Sequence, residues 1–443
     1  MLKKLGDILQ LDKHNKIDIR DDDKYYIAGV QSYGKGVVIR RSVVGKELTM
    51  KQYQVIKKDQ LMWCKVDTKN GAFGLTKEEH VGSLASTNMA LANIDTKKII
   101  PKFLETLFQV SSFHKYITKY SSGSTNRKYL TPQQLFELIE IPNFSIEEQK
   151  KFIERVESIK KSGLEQEIKI QLNLLSRLRQ AILQEAIEGK LTAQWRKENP
   201  DEEPASKLLK KIRDEIDYLI ETKKIKKEKV IPAISKNEIL YEIPNSWEWI
   251  RLGHITNIVR GGSPRPAGDK RYYDGDIPFL KVADLTKDDN IFVSSHTYTI
   301  KEAGLHKTRF IEGETLMLTN SGATLGVPKI CNFPTTFNDG IAAFIYMNEC
   351  LDKRFFYYLL KSKTNWFLTE AARGQGQPNL NTDIIGNTLI ALPPAEEQKR
   401  IVKEIEIAMT ICDEIEQQIN ESKVNTDMLM QAVLKEAFEH DDK

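Results

Sequence analysis

The chain is poor in the residues from which catalytic centres and metal sites are built. Its 443 residues include only four cysteines and seven histidines. Cys64, Cys331, Cys350 and Cys412 are far apart and none forms a CxxC pair. A zinc site is therefore not expected, and a disulfide framework would be sparse; a reducing cytoplasm suits these thiols better. The histidines are scattered, and no HExxH helix or GxSxG elbow occurs. The [DN]PP[FY] signature of amino-methyltransferases is absent too, since Ile141-Pro142-Asn143-Phe144 and Leu392-Pro393-Pro394-Ala395 lack the residues it needs. No apolar run reaches bilayer-spanning length, and Met1 to Asp7 has no apolar signal core, so no membrane partner is expected. The formal net charge is only +4, which permits a nucleic-acid partner where positive charge clusters but does not demand one. These absences point to a binding or adaptor protein rather than an enzyme, with no cofactor and no metal in this chain.

One stretch imitates a nucleotide site. Gly29-Val30-Gln31-Ser32-Tyr33-Gly34-Lys35-Gly36 follows the GxxxxGK[ST] pattern until its last position. That position must carry a hydroxyl to ligate magnesium, and here it is glycine. A glycine-rich connection between strands is the reading preferred over an enzyme that binds nucleotides.

What the chain does contain is a repeat. Glu147-Glu148-Gln149-Lys150 returns as Glu396-Glu397-Gln398-Lys399, and each copy opens a long amphipathic segment. Those segments close alike, with Gln180-Ala181-Ile182-Leu183-Gln184-Glu185-Ala186 and Gln431-Ala432-Val433-Leu434-Lys435-Glu436-Ala437. Weaker matches keep the same order: Lys4-Leu5-Gly6-Asp7-Ile8 with Arg251-Leu252-Gly253-His254-Ile255, Leu61-Met62 with Leu316-Met317, Lys102-Phe103 with Arg354-Phe355, Gly123 with Gly374. A tandem duplication follows, each half a globular module and then a long helix. Hydrophobic residues at 40% are enough to give both modules a core.

The expected architecture is α+β, with a module over 1–140, a long helical region over 141–192, a charged helical linker over 193–246, a second module over 247–391 and a second long helical region over 392–443. Runs such as Tyr25–Val30, Gly36–Arg40, Gln54–Ile56 and Gln60–Cys64 read as strands, as do Ile277–Val282, Thr315–Leu318 and Ile341–Tyr346. Pro101 to about Tyr120 and Lys353 to Thr369 read as helices. In the second long helix Ile401, Ile405, Ala408, Cys412, Ile415 and Ile419 alternate spacings of four and three, the seam of a coiled coil, which continues through Ser422, Thr426, Leu429 and Val433. In the first, Phe152, Val156 and Ile159 are interrupted at Gly163, and Leu164, Ile168, Leu172, Leu175, Leu178 and Ile182 resume. Helices this long need a partner for their apolar stripe, and each is the natural partner of the other. The repeated Glu-Glu-Gln-Lys residues are expected to start each helix and face a partner subunit. In the linker, Ser206–Glu221 has helical periodicity and Lys223–Lys229 is a basic run.

The polar loops supply the candidate binding residues. Arginine and lysine pair with guanine O6 and N7, asparagine and glutamine with adenine N6 and N7, while other cations hold phosphates. In the first module the candidates are Lys35, Arg40, Arg41, Lys65, Asn70, Asn126, Arg127 and Lys128. In the second they are Arg260, Arg265, Lys270, Arg271, Asn320, Ser321, Thr324, Arg373, Gln375 and Gln377.

Ile141-Pro142 and Leu392-Pro393-Pro394 ahead of the repeated Glu-Glu-Gln-Lys, the matching helix ends, and Ile243-Pro244-Asn245-Ser246-Trp247-Glu248-Trp249-Ile250-Arg251-Leu252-Gly253 together resemble the specificity subunit of type I restriction–modification enzymes. The resemblance covers essentially the whole chain. It implies two target-recognition domains that read the halves of a bipartite, asymmetric double-stranded DNA site, separated by two long helices paired antiparallel as a spacer. It implies as partners a pair of modification (methyltransferase) subunits using S-adenosylmethionine and restriction subunits using ATP and Mg, with no catalysis in this chain. A coiled-coil assembly scaffold without sequence-specific recognition is the alternative; salt-resistant, sequence-selective DNA binding would exclude it.

The loops differ between the halves: Ser121–Lys128 has no glutamine, while Arg373–Asn379 has two. The two modules are therefore expected to read different sequences. Replacing Arg373, Gln375 and Gln377 with alanine should relax the second half-site alone, measured by adenine-methylation mapping. Equal weakening of both half-sites would reassign these residues to phosphate contacts.

Overall fold

Short β-branched and aromatic runs edged by glycine form antiparallel sheets in both halves, and in both the long helix begins where the last strand of the module ends. A computed structural model describes residues 2–32, 34–66, 72–86, 88–108, 113, 116–117, 119–120, 130–161, 163–225, 231–372 and 379–439. The protein is α+β and divides into two units, Met1–Leu172 with Gln417–Lys443, and Asn173–Glu416.

In the first unit the strands Leu9–Leu11, Met89–Ile94, Gln60–Cys64 and Phe73–Leu75 form an antiparallel sheet in that order. A smaller sheet sets Lys24–Gln31 between antiparallel Gly36–Val44 and parallel Leu84–Ala85. Alternation decides which core each side chain joins. Leu61 and Trp63 pack with Phe103, Leu104, Leu107 and Phe108 of helix α1 (Pro101–Phe108), while Met62 points to a second cluster with Ala28, Val30 and Leu91. The proline at the start of α1 needs no donor there. Phe113, Tyr116 and Ile117, farther along the expected helix, are again helical. A ribbon of Leu2–Lys4 with Glu140–Pro142 leads into helix α2 (Ile146–Lys161), whose start is closed by a reciprocal cap: the Glu148 carboxylate accepts from Ser145 N at 2.7 Å and Ser145 Oγ accepts from Glu148 N at 3.3 Å. Gly163, with φ +73°, separates α2 from α3 (Leu164–Ile187), as its position in the heptads predicts.

The second unit repeats the plan. Asn257–Arg260, Ile341–Ile345, Thr315–Thr319 and Pro328–Cys331 form an antiparallel sheet in the same order. The other sheet, here also four-stranded, again contains one parallel pair, Tyr273–Leu280 with Thr335–Phe337. Leu316 and Leu318 face one core and Met317 the other, the arrangement of Leu61, Trp63 and Met62. Helix α4 (Ala205–Glu221) is added here and buries Leu208, Leu209 and Ile212. Helix α5 (Lys353–Ser362) is capped by Asp352, whose carboxylate accepts from Arg354 N and Phe355 N. The expected helix breaks at Lys363; a turn at Thr364–Trp366 and a π-turn at Phe367–Ala371 follow. The ribbon Glu248–Arg251 with Leu389–Leu392 leads into helix α6 (Ala395–Glu439).

Within the repeated Glu-Glu-Gln-Lys the glutamine, expected to face a partner, turns inward instead, while Glu147, Glu148, Lys150, Glu396 and Lys399 stay exposed. Gln149 and Gln398 are fully buried. Gln149 Oε1 accepts from Ile100 N at 2.7 Å and its Nε2 donates to Phe144 O at 2.9 Å. Gln398 Oε1 accepts from Asp352 N at 3.0 Å and its Nε2 donates to Pro393 O at 3.0 Å. Ile100 and Asp352 immediately precede α1 and α5, so each glutamine bolts the module helix to the first turn of the long helix. Glu397, also fully buried, is held by Trp247 Nε1 at 2.8 Å, Thr192 Oγ1 at 2.6 Å and the Arg196 guanidinium.

In the second unit the end of α3 runs antiparallel to the start of α6: Arg179 reaches Asp413 at 2.6 Å and Glu416 at 2.8 Å, and farther on Arg196 reaches Glu397. The seam departs from the heptad reading in places. Ile401, Ile405, Cys412, Ile419 and Thr426 are buried as expected, but Ile415, Ser422 and Leu429 are exposed. On α3, Leu164 and Leu178 are exposed, and the buried stripe passes through Ile168, Leu175, Leu183, Ala186 and Ile187. The half-buried Arg179 stands where the apolar Leu178 was expected, because its two acidic partners lie across the pair. Val433 has no described side chain.

Gln398→Ala leaves a buried N–H and a buried carbonyl without partners, and should cost about 2 kcal/mol or more in urea unfolding. Gln149→Ala should do the same for the first unit. A loss below about 0.5 kcal/mol would show that the bolt is dispensable.

Candidate nucleic-acid interface

The glycine-rich stretch of the first module is a hairpin, with Lys24–Gln31 paired to Gly36–Val44 and positive φ at Gly34 and Gly36. A phosphate-cradling loop leads from a strand into a helix; here a strand follows, which removes the nucleotide reading. The register shifts at Ile27/Ala28, opposite Arg41 and Ile39, so Arg40 is the bulged residue. Its NH2 donates to Val30 O at 2.9 Å, and its guanidinium lies where a Cβ at residue 29 would sit, which is why that residue is glycine. Arg40 and Arg41 are exposed on this strand and Lys35 at the turn, while Lys65 is half-buried beyond the end of Gln60–Cys64. Asn70, Asn126, Arg127 and Lys128 lie outside the described residues.

In the second module the turn Asn338–Gly340 gathers residues distant in sequence. Arg260 Nε donates to Asp339 O at 2.5 Å and Ser263 Oγ to the Asp339 carboxylate at 2.7 Å. Arg309 Nε donates to Arg260 O at 2.8 Å. Asn320 N donates to Gly340 O, Leu380 N donates to Asn320 O, and Ser321 bridges Asn379. Arg260, Asn320 and Ser321 thus share one end of the sheet, but they are not equally available. Arg260 is exposed, Ser321 half-buried and Asn320 buried. Thr324 is exposed on the turn after Asn320.

Arg265, Lys270 and Arg271 are exposed on the loop that follows Arg260. Arg271 is spent on Asp269, at 2.6 Å from NH2, and its hydrogen bonds hold the Asp269 carboxyl down at about 2. Arg265 and Lys270 have no side-chain hydrogen bond or ion pair among the described residues. Lys329, by contrast, is buried and holds Asp288 at 2.7 Å, a structural anchor. Arg373, Gln375 and Gln377 lie outside the described residues. Sequence reasoning missed Ser263, Arg309, Asn338, Asp339 and Asn379; the Asn338-Asp339-Gly340 run, a turn signature, was the signal available.

A strap before the second module is clamped by one arginine. Arg251, buried in the ribbon, donates from Nε to Pro232 O at 2.9 Å, from NH1 to Asn387 O at 2.8 Å and from NH2 to the Glu238 carboxylate at 2.8 Å. The strap borders a groove of about 780 Å³ walled by Tyr241, Trp249, Lys363 and Trp366. The Lys363 ammonium is pushed below its ordinary range by burial. Among the described residues no group of three His, Cys, Asp or Glu is placed to hold a metal, and no helix is long and apolar enough to cross a membrane.

Each half of the chain thus holds a module of similar sheet topology, bolted to the start of a long helix by a buried glutamine and carrying its own set of polar turns. Residues 244–422 match the family described as "Type I restriction modification DNA specificity domain", and the resemblance to type I specificity subunits holds. The chain is 31% identical over 265 residues to the type I restriction enzyme EcoAI specificity subunit of Escherichia coli, matching 56% of this chain and 42% of that protein. It is 21% identical over 387 residues to the HindI specificity subunit of Haemophilus influenzae, covering 81% of this chain and 82% of that one. The match thus spans under half the length of the EcoAI subunit, and equally of the EcoEI subunit, at 42%. A chain from a solved structure concerned with complex assembly and conformational transition of the type I R-M system shares the fold, with TM-score 0.68 at 17% identity over 99% of this chain and 97% of that one.

The strap should be acid-sensitive. Glu238 accepts from the Ser235 backbone and from Arg251, which hold its carboxyl at about 2 against an ordinary 4.5. Its folded pKa is depressed, so its contribution is full above pH 4.5 and is lost as pH falls through about 2. Amide protection across 231–241, taken relative to the intrinsic exchange rate at each pH, should fall over that window, and Glu238→Gln should flatten the dependence. Unchanged protection in the wild type would show that the carboxylate does not hold the strap.

Proposed function

We propose that this chain is the sequence-specific DNA-binding specificity subunit of a type I restriction–modification complex. The modules over 1–140 and 247–391 each read one half of a bipartite, asymmetric site, and the helical regions over 141–192 and 392–443 hold them apart. The observation that carries this reading is the duplicated module-and-bolt unit with unlike turns: Gln149 and Gln398 make the same bonds in both halves, while the polar residues at the sheet ends differ. Two copies of one module with different side chains suit a site that is bipartite and not palindromic.

Within this reading Arg265 and Lys270 contact phosphates, with Lys35 and Arg41 in the same role on the first module. Arg260, Ser321 and Thr324 approach base edges. Lys65, Asn70, Asn126, Arg127, Lys128, Arg373, Gln375 and Gln377 complete the two surfaces, and Arg40 is held mainly for the hairpin. The chain performs no chemistry. Adenine methylation belongs to modification subunits that use S-adenosylmethionine, and cleavage to restriction subunits that use ATP and Mg. Exposed apolar residues on the helices, Leu174 and Leu178 on α3 with Ile407, Ile411 and Ile415 on α6, supply the docking surface for modification subunits.

Mapping adenine methylation in the host should return one motif with two unlike halves and a fixed gap. Deleting four residues from each helical region moves the modules by about 6 Å, at about 1.5 Å per residue, and should change that gap. An unchanged gap would remove the spacer role, and methylation without sequence preference would favour the scaffold.

A further inference from the structure

Two arginines of the second module are each tied down by a single nitrogen. The strand Asn257–Arg260 leaves its sheet through Gly261-Gly262, where a Cβ on the first glycine would strike Asn338 O and one on the second Lys307 O. Only glycine lets the backbone run that close, and Gly262 N donates to Phe337 O at 3.1 Å. The approach lays the Arg260 carbonyl beside the edge strand Arg309–Ile311, and the Arg260 side chain beside the turn Asn338–Gly340. Arg309 Nε donates to Arg260 O at 2.8 Å and Arg260 Nε to Asp339 O at 2.5 Å. Both residues are exposed, and among the described residues NH1 and NH2 of neither has a hydrogen bond or an ion pair. Other arginines in the two modules are held differently. Arg40 spends NH2 on Val30 O, and Arg271 spends Nε and NH2 on Asp269. A guanidinium anchored through Nε to a backbone carbonyl has its plane fixed and keeps its NH1–NH2 edge as a rigid fork of donors.

We propose that Arg309 is a base-reading residue of the second module, its fork gripping O6 and N7 of one guanine in the major groove. The inference rests on the reading of this module as a DNA-recognition module, and adds to it a residue that lies outside the loop candidates. The tether is what favours a base over a phosphate. A phosphate takes donors from many directions and is held by a mobile ammonium as a point charge. A guanine edge offers two acceptors in one plane at a fixed spacing, which rewards a fork already oriented before binding. Arg260, tethered in the same way to the neighbouring turn, stands beside it.

The test uses the full chain assembled with its modification subunits, and duplexes carrying the mapped site. Each guanine of both half-sites is replaced in turn by 7-deazaguanine, which pairs normally but lacks the N7 acceptor. The wild type should lose affinity several-fold at one guanine of the second half-site. Arg309→Ala and Arg309→Lys should each bind the intact site about ten-fold more weakly, the scale of one bidentate contact. Both should be indifferent to the replacement at that guanine and should still read the first half-site. Lysine should not rescue, because it keeps the charge and loses the fork. Equal weakening of Arg309→Ala on every duplex, with the salt slope reduced by about one and lysine restoring affinity, would overturn the proposal in favour of a phosphate contact. Variants that keep the wild-type response to 7-deazaguanine at every position would overturn it too. So would a wild type insensitive at every guanine of the second half-site, or a second half-site without a G·C pair, and neither result depends on a variant that folds. If the wild-type complex ignores the second half-site altogether, the recognition reading itself fails, a result seen with scrambled duplexes before any guanine is altered.

Discussion

The architecture depends on a side-chain amide used as a bolt. A helix start leaves backbone donors without partners, and a strand that turns into a helix leaves a carbonyl exposed to the core. Gln149 and Gln398 each answer one group of both kinds: the N–H before the module helix and the carbonyl five residues back. Both are buried, so water cannot stand in. The direction in which each long helix leaves its module is fixed by this pair of bonds together with aromatic and aliphatic packing around Phe152 in one unit and Ile401 in the other. In the second unit Glu397 extends the bolt into a junction. It ties the short helix Ala193–Glu198 that follows α3, the entrance to the second module at Trp247 and the first turn of α6, so three segments distant in sequence share one buried carboxylate.

Against that rigid frame, the cations divide by whether the protein itself uses them. Arg251 and Lys329 are buried and saturated by carbonyls and carboxylates, and Arg271 is neutralised by Asp269. Arg40 is half committed to the hairpin. Arg265, Lys270, Lys35 and Arg41 remain exposed on turns and strands. A cation already paired with a carboxylate gains little from a phosphate, so the unpaired ones carry the proposed electrostatic footprint. A net charge of +4 conceals this division, because it counts the committed and the available alike.

Much of the fold was legible in the chain. The apolar and aromatic runs Gln60–Cys64 and Thr315–Leu318 announced strands, the four-and-three spacing announced α6, and Gly163 announced the break between α2 and α3. The seam was legible only in part. A heptad tells which residues can share a face, but whether Leu178 or Arg179 fills the groove depends on Asp413 and Glu416 across it. Of the candidate site, the residue types were legible and their availability was not: Asn320 counted as a surface reader until the fold buried it.

By itself the sequence determined the duplication, the α+β character of each half and the resemblance to a family, because these rest on local periodicity and on repeats that survive in one dimension. Only the tertiary structure decided the role of the repeated Glu-Glu-Gln-Lys. Its glutamine meets a backbone N–H that lies 49 residues upstream in one half and 46 in the other, and no local pattern records a partner at such a distance. The same reason explains the gathering of Arg260, Asn320 and Asn379 around the turn Asn338–Gly340: long-range backbone pairing, not spacing, brings them together.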